Sequence, residues 1–105
     1  MSVYVDDMYL YPMGRFGRMK MSHMVADTEA ELYEMADKIG VARKWVQHKG
    51  QGRDRIHFDV AKSARAKAVA AGAVEMTMRD LSMMCRRWRE EDRASALPQE
   101  APADG

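Results

Sequence analysis

The stretch M-S-H-M-V-A-D, Met21–Asp27, runs without a linker into T-E-A-E-L. Its apolar and polar residues read as a strand, and the strand's end becomes the start of a helix. Thr28 is a good N-cap, and Glu31 three residues on completes a capping box for the first turn. Leu32, Met35, Ala36 and Ile39 then fall at i, i+3, i+4 and i+7, one apolar stripe facing a core. Gly40 supplies the left-handed residue that ends the helix, with Val41 placed for the hydrophobic contact of a Schellman motif. The spacing predicts a helix over Glu29–Ile39, and it leaves His23 inside a strand and Asp27 beside a helix N-terminus.

The remaining chain repeats this alternation. Ser2–Asp6 alternates in the strand manner, with Val3 and Val5 on one face and Tyr4 on the other. Tyr9-Leu10-Tyr11 reads as a short strand stopped by Pro12, and Met13–Lys20 as a basic, flexible loop. Trp45-Val46-Gln47 is a short strand or turn, followed by a polar glycine-containing loop at His48–Asp54. Arg55–Val60 is a further strand. Ala61–Ala71 is a small-residue helix, with Ala61, Ala64 and Ala68 inward and Lys62, Arg65 and Lys67 outward. Val74–Thr77 is β-like, and the Arg55–Met76 segment fits a right-handed parallel crossover. Thr77 caps a last helix that carries Leu81, Met84, Cys85 and Trp88 on one face. The expected fold is a single small α/β domain over residues 1–93. Its partly parallel, mixed sheet of about four strands has three helices packed on it. Residues 94–105, with Pro98 and Pro102, read as a disordered tail.

Composition narrows the function classes. The 17 basic residues nearly cancel 16 acidic ones, which argues against coating nucleic acid by bulk charge but leaves a local basic patch open. A single cysteine, Cys85, excludes an intramolecular disulfide and a cysteine-cluster zinc site. Eleven methionines are many for this length, with core filling their default use. No apolar run reaches spanning length, so no membrane partner and a cytoplasmic location are expected.

In a strand, residues i and i+2 share a face, so His57 and Asp59 project together. Asp6, Asp7, Asp27 and Asp59 all fall at or near strand ends, where open α/β sheets bind ligands. If the three clear strands are parallel neighbours, these carboxylates and the imidazoles of His23 and His57 converge on one rim. Clustered acids suit Mg²⁺ or Mn²⁺, and histidines shift the preference toward Mn²⁺, Zn²⁺ or Fe²⁺. A metal there can activate water against a phosphodiester, with His23 or His57 moving protons. Each residue also has a structural role open to it. Asp27 and Asp59 precede helices, Asp6-Asp7 suits a turn, and the histidines can be satisfied by backbone or by the aspartates. Arg15, Arg18 and Lys20 offer phosphate contacts from their loop, as do the arginines of the last helix.

The ordered set V-Y-V-D-D (Val3–Asp7), S-H-M-x-A-D (Ser22–Asp27), I-G (Ile39-Gly40), H-F-D-V (His57–Val60) and G-A-V (Gly72–Val74) resembles a family of short bacterial and tailed-phage proteins classed as a domain of unknown function. The chain departs from that pattern at Phe58, where the family has tyrosine. The resemblance implies no established activity, but directs attention to His23, Asp27, His57 and Asp59, with Asp6 and Asp7. The functional expectation is a His/Asp site at the sheet rim, in its sharpest form a metal-assisted hydrolase of nucleic-acid or nucleotide phosphoesters. The alternative is a non-catalytic accessory module that binds a nucleotide, a nucleic acid or a protein, or a homodimer through the last helix.

Overall fold

Alternating strands and helices assemble around one long strand. The computed structural model describes residues 2–96. Strand β3, Met19–Ala26, is the centre of a five-stranded mixed sheet. On one side it pairs antiparallel with β1, Val3–Val5, and on the other with β4, Phe58–Ala61. Its first residues close a two-residue hairpin with β2, Arg15–Phe16, in which Gly17 takes the positive φ (61°) that the turn requires. β5, Val74–Glu75, runs parallel to β1 at the far edge.

The three clear strands are therefore antiparallel neighbours, not parallel ones. β4 and β5 do run in the same direction, but β3 and β1 lie between them. Helix α2, Lys62–Ala70, is thus the expected parallel connection, and it crosses two strands.

Helices cover both faces. α1, Glu29–Ile39, and α2 pack on the side of Val3, Val5, Met24, Phe58 and Val60. α3, Met78–Ala96, lays Leu81, Met84, Cys85 and Trp88 over Val25 and Tyr4 on the other. That apolar stripe is thereby committed inside the chain, which removes it as a dimer seam. Fully burying a side chain of the Leu or Phe class contributes about 1.5–3 kcal/mol, so these two layers dominate the packing. The Thr28 hydroxyl accepts from the Glu31 amide at 3.3 Å and donates to the Glu31 carboxylate at 2.8 Å, a variant of the expected box. Gly40 is left-handed (φ 79°), and the Val41 amide donates to the Ala36 carbonyl, as the Schellman pattern requires.

Several local expectations change. Met8–Leu10 and Pro12–Gly14 are short 3₁₀ turns where Tyr9–Tyr11 reads as a strand, and Arg15–Lys20 pairs as the start of the β2–β3 hairpin within the stretch that reads as a flexible loop. Strand segments of two residues are too short for an alternation to show. Arg65 faces inward and is buried. Its Nε donates to the Asp6 carbonyl at 2.7 Å, and its guanidinium lies over the Tyr9 ring. The loop at His48–Asp54 is tied to α3 at its end: Arg53 pairs with Glu91 and Asp92, and Asp54 accepts from Arg89. α3 continues to Ala96, and of the expected tail only residues 97–105 lie outside the described chain.

Gly14 is buried where the second 3₁₀ turn rests on β3, and a Cβ there meets the backbone carbonyls of Met8 and Met21. No rotamer change relieves a backbone collision. Gly14→Ala is expected to cost about 1–3 kcal/mol, as overpacking does, and to lower the urea midpoint. An unchanged midpoint would mean that this turn can lift from β3 freely.

Candidate metal centre

The antiparallel order brings Asp6, His23 and Asp59 to one level across three strands. His23 stands opposite Asp59 in the β3–β4 ladder. On its other side the Asp6 amide donates to the His23 carbonyl at 3.1 Å, extending the β1–β3 ladder by one residue. His57 precedes Asp59 by two and so shares its face. A bridge between Gln47 and His57 holds that backbone beside the sheet.

Asp6 is buried, and its carboxylate is fully engaged. Oδ1 accepts from the amides of Met8 (3.1 Å) and His23 (2.9 Å), while Oδ2 accepts from His23 Nδ1 at 2.7 Å. A carboxylate facing Nδ1 makes that nitrogen the donor, so in the neutral ring Nε2 carries the lone pair. His57 reaches the same tautomer differently, with Nδ1 donating to the Arg55 carbonyl at 2.7 Å. Both Nε2 atoms face Asp59. Its Oδ2 accepts from Gln47 Nε2 at 2.6 Å, but its Oδ1, although buried, has no hydrogen-bond partner among the described residues. That oxygen lies 3.6 Å from His57 Nε2 and 3.9 Å from His23 Nε2, beyond hydrogen-bonding range.

One donor atom from each of His23, His57 and Asp59 lies within 4.8 Å of the others. Donors bound tetrahedrally at about 2.0–2.2 Å from one ion are about 3.3–3.6 Å apart, so modest contraction brings the three into ligand geometry. The hydrogen bonds at both Nδ1 atoms are of the kind that orient metal-ligating imidazoles.

The cluster opens on a cleft of about 340 Å³ between the sheet and α3, lined among others by Arg55, Ser82, Cys85 and Arg89. No carboxylate among the described residues pairs with Arg55, whereas Arg89 Nε donates to Asp54 at 3.0 Å. Burial, and then the nearby Asp54 charge, push the Cys85 thiol up to about 11, so it stays protonated at neutral pH and is no nucleophile.

The other expected residues lie elsewhere. Asp27 lies just past the end of β3, four residues and about 13 Å beyond His23, because an antiparallel strand ends beside the start of β1 rather than its end. Its oxygens accept from the Ser2 amide (2.6 Å) and the Tyr4 hydroxyl (3.0 Å). Asp7 accepts from the Met78 amide at the start of α3 at 2.8 Å. Arg15 and Lys20 face each other in the exposed β2–β3 hairpin, with Arg18 in its turn.

A family model described as a protein of unknown function (DUF4031) matches residues 3–88. The chain belongs to this family. The match spans every residue of the cluster, and the expectation of a domain of unknown function holds. No curated protein and no solved structure matches the chain. No helix among the described residues is long and apolar enough to cross a membrane.

Two residues of this DUF4031 chain escape sequence reasoning. Gln47 positions Asp59 from a segment whose only extended feature is one bridge. His48, left-handed at φ 57°, stacks on His57 with ring centroids 5.5 Å apart. Neither belongs to a periodic element, so no pattern points to it.

His23 is raised above the ordinary histidine value. The Asp6 hydrogen bond raises it most, burial opposes, and the charges of Asp6 and Asp59 raise it further. Its protonated form therefore favours the fold. That contribution is complete below about pH 6.5 and is lost as pH rises through the folded value. Asp6→Asn retains an oxygen for the Met8 and His23 amides and removes the charge. In metal-free protein, NMR titration is expected to place His23 above a free histidine, and to bring it down in the variant. The stability gap between the two proteins should narrow as pH rises from about 5.5 to about 8.5. An unmoved His23 midpoint in the variant would remove Asp6 as the cause.

Proposed function

We propose that this protein is a metal-dependent phosphoester hydrolase, with the ion held by His23 Nε2, His57 Nε2 and Asp59 Oδ1. The observation that carries the reading is the unpaired, buried Asp59 Oδ1 set between two imidazole nitrogens whose tautomers are fixed from behind. Buried polar atoms are almost always hydrogen-bonded, and an exception aimed at two lone pairs suits a cation. Two imidazoles and one carboxylate place Zn²⁺, Mn²⁺ and Fe²⁺ ahead of Mg²⁺, which prefers oxygen ligands and waters.

In this reading Asp6 orients His23 rather than binding the ion. Asp7 and Asp27 serve backbone amides, and the histidines are ligands before they are proton carriers. Three protein donors would leave positions open for water, and a bound ion would make its proton easier to lose near neutral pH. Such an ion would supply the nucleophile for attack at phosphorus, with solvent water protonating the departing oxygen as the phosphorus–oxygen ester bond breaks. Arg55 and Arg89 on the same cleft suit the phosphate oxygens.

A non-catalytic nucleotide- or nucleic-acid-binding module is the second reading, favoured by the exposed hairpin cations Arg15, Arg18 and Lys20. It predicts binding indifferent to metal and to His57.

Thermal unfolding with Zn²⁺, Mn²⁺ and Mg²⁺ separates the two. An ion at about a hundred times its Kd adds about 2.7 kcal/mol, which for a domain of this size raises Tm by about ten degrees or more. The rise is expected for Zn²⁺ or Mn²⁺ in the wild type and is lost in His57→Ala and Asp59→Asn. Asp6→Asn should retain it with about 10- to 100-fold weaker affinity, the usual cost of removing an orienting partner. Loss of bis(p-nitrophenyl) phosphate hydrolysis in the same two ligand variants completes the test. Equal melting with and without every ion would rule the metal centre out.

A further inference from the structure

The cluster sits at the junction of two depressions, and the second has no role in the chemistry above. We infer that this groove seats the apolar part of the substrate, a flat aromatic group whose phosphoester reaches the His23–His57–Asp59 cluster. The inference rests on the reading of that cluster as a metal site.

The groove has a volume of about 470 Å³ and is lined by Met13, Phe16, Met19, Met21 and Trp45, with Arg15 beside them and Gln47 and Asp59 where it meets the cluster. That size is in the usual range for small-molecule sites. Eight large apolar side chains among the described residues are exposed, and four of them, Met13, Phe16, Met19 and Trp45, line this one groove. Scattered apolar exposure needs no explanation, but a concentration of this kind marks a binding surface.

Its placement ties it to the cluster. Met21 and His23 lie on the same face of β3, and the Met21–Ala61 pair is the rung next but one to His23–Asp59 in the ladder. Two residues along a strand span about 6.5–7 Å, a few bonds' reach from a phosphorus atom at the cluster. Asp59 belongs to both, its Oδ2 tied by Gln47 at the groove and its Oδ1 turned to the imidazoles. The walls favour a ring over an alkyl chain, since indole, phenyl and thioether groups all present polarizable faces to a π-system. Arg15 places a cation in the groove, which matches an aromatic group bearing phosphate.

The test is a titration with 1-naphthyl phosphate followed by the ¹⁵N indole signals of Trp45 and Trp88. The Trp45 signal is expected to move while buried Trp88 stays, and the shift should persist in metal-free wild-type protein. Trp45→Ala and Phe16→Ala replace exposed side chains and leave the fold alone. They are expected to weaken naphthyl phosphate about 5- to 100-fold, the range for losing one stacking partner. The metal-dependent rise in Tm and the KM for methyl phosphate should be unchanged. A Trp45 signal unmoved by ligand, in protein that still shows the metal rise, overturns the groove and spares the metal centre. A Trp45 shift without any metal rise keeps the groove and removes the hydrolase. If sedimentation shows a dimer that Phe16→Glu dissociates, the groove is a self-interface and the inference fails.

Discussion

The Asp6 carboxylate is the contact on which the site and much of the fold depend. It lies where the chain leaves β1, buried, and both of its oxygens are hydrogen-bonded. Two amides meet one oxygen and His23 meets the other, while the residue's own carbonyl takes the Arg65 guanidinium. Burying a carboxylate is costly unless it is paired and hydrogen-bonded. Here the carboxylate's bonds fasten β1 to β3 and begin the turn at Met8–Leu10, while the Arg65 bond to the Asp6 carbonyl brings in α2. Removing the whole carboxylate would therefore disturb the ladder and the imidazole orientation together.

The antiparallel order of β1, β3 and β4 turns this local contact into a row. Opposed residues in such ladders share a level and a face, so Asp6, His23 and Asp59 line up without any loop having to deliver them. Side chains on adjacent paired strands are held more firmly than on loops, and the tautomers of both histidines follow from what lies behind them. Asp59 Oδ1, the one buried side-chain oxygen without a hydrogen-bond partner among the described residues, is at the middle of the group.

Much of this was legible in the residues. Period, caps and the Gly40 stop located α1 to the residue, and the stripe of α3 was read correctly because long helices display their period. His23, His57 and Asp59 stood out as polar residues within strand patterns, and H-x-D placed two of them on one face. Strand direction was not legible. Alternation says which residues share a face but not which way a neighbour runs, so Asp27 was grouped with residues it does not approach. Arg65 read as outward because its stripe of alanines looked complete without it. Gln47 and His48 lie in irregular backbone, where position is set by tertiary contacts that no local period records.

The far wall of the cleft is fastened differently from its floor. The loop that carries Asp54 and leads into His57 is held to α3 by Arg53 with Glu91 and Asp92 and by Arg89 with Asp54, pairs whose α3 partners are open to solvent. The floor is bound by short hydrogen bonds between strands, which dissolved ions hardly touch. Exposed pairs weaken as salt screens them. Ionic strength therefore acts on this molecule selectively, loosening one side of the cleft while the donor atoms keep their places. The tightness of that side is a property of the surrounding solution as much as of the chain.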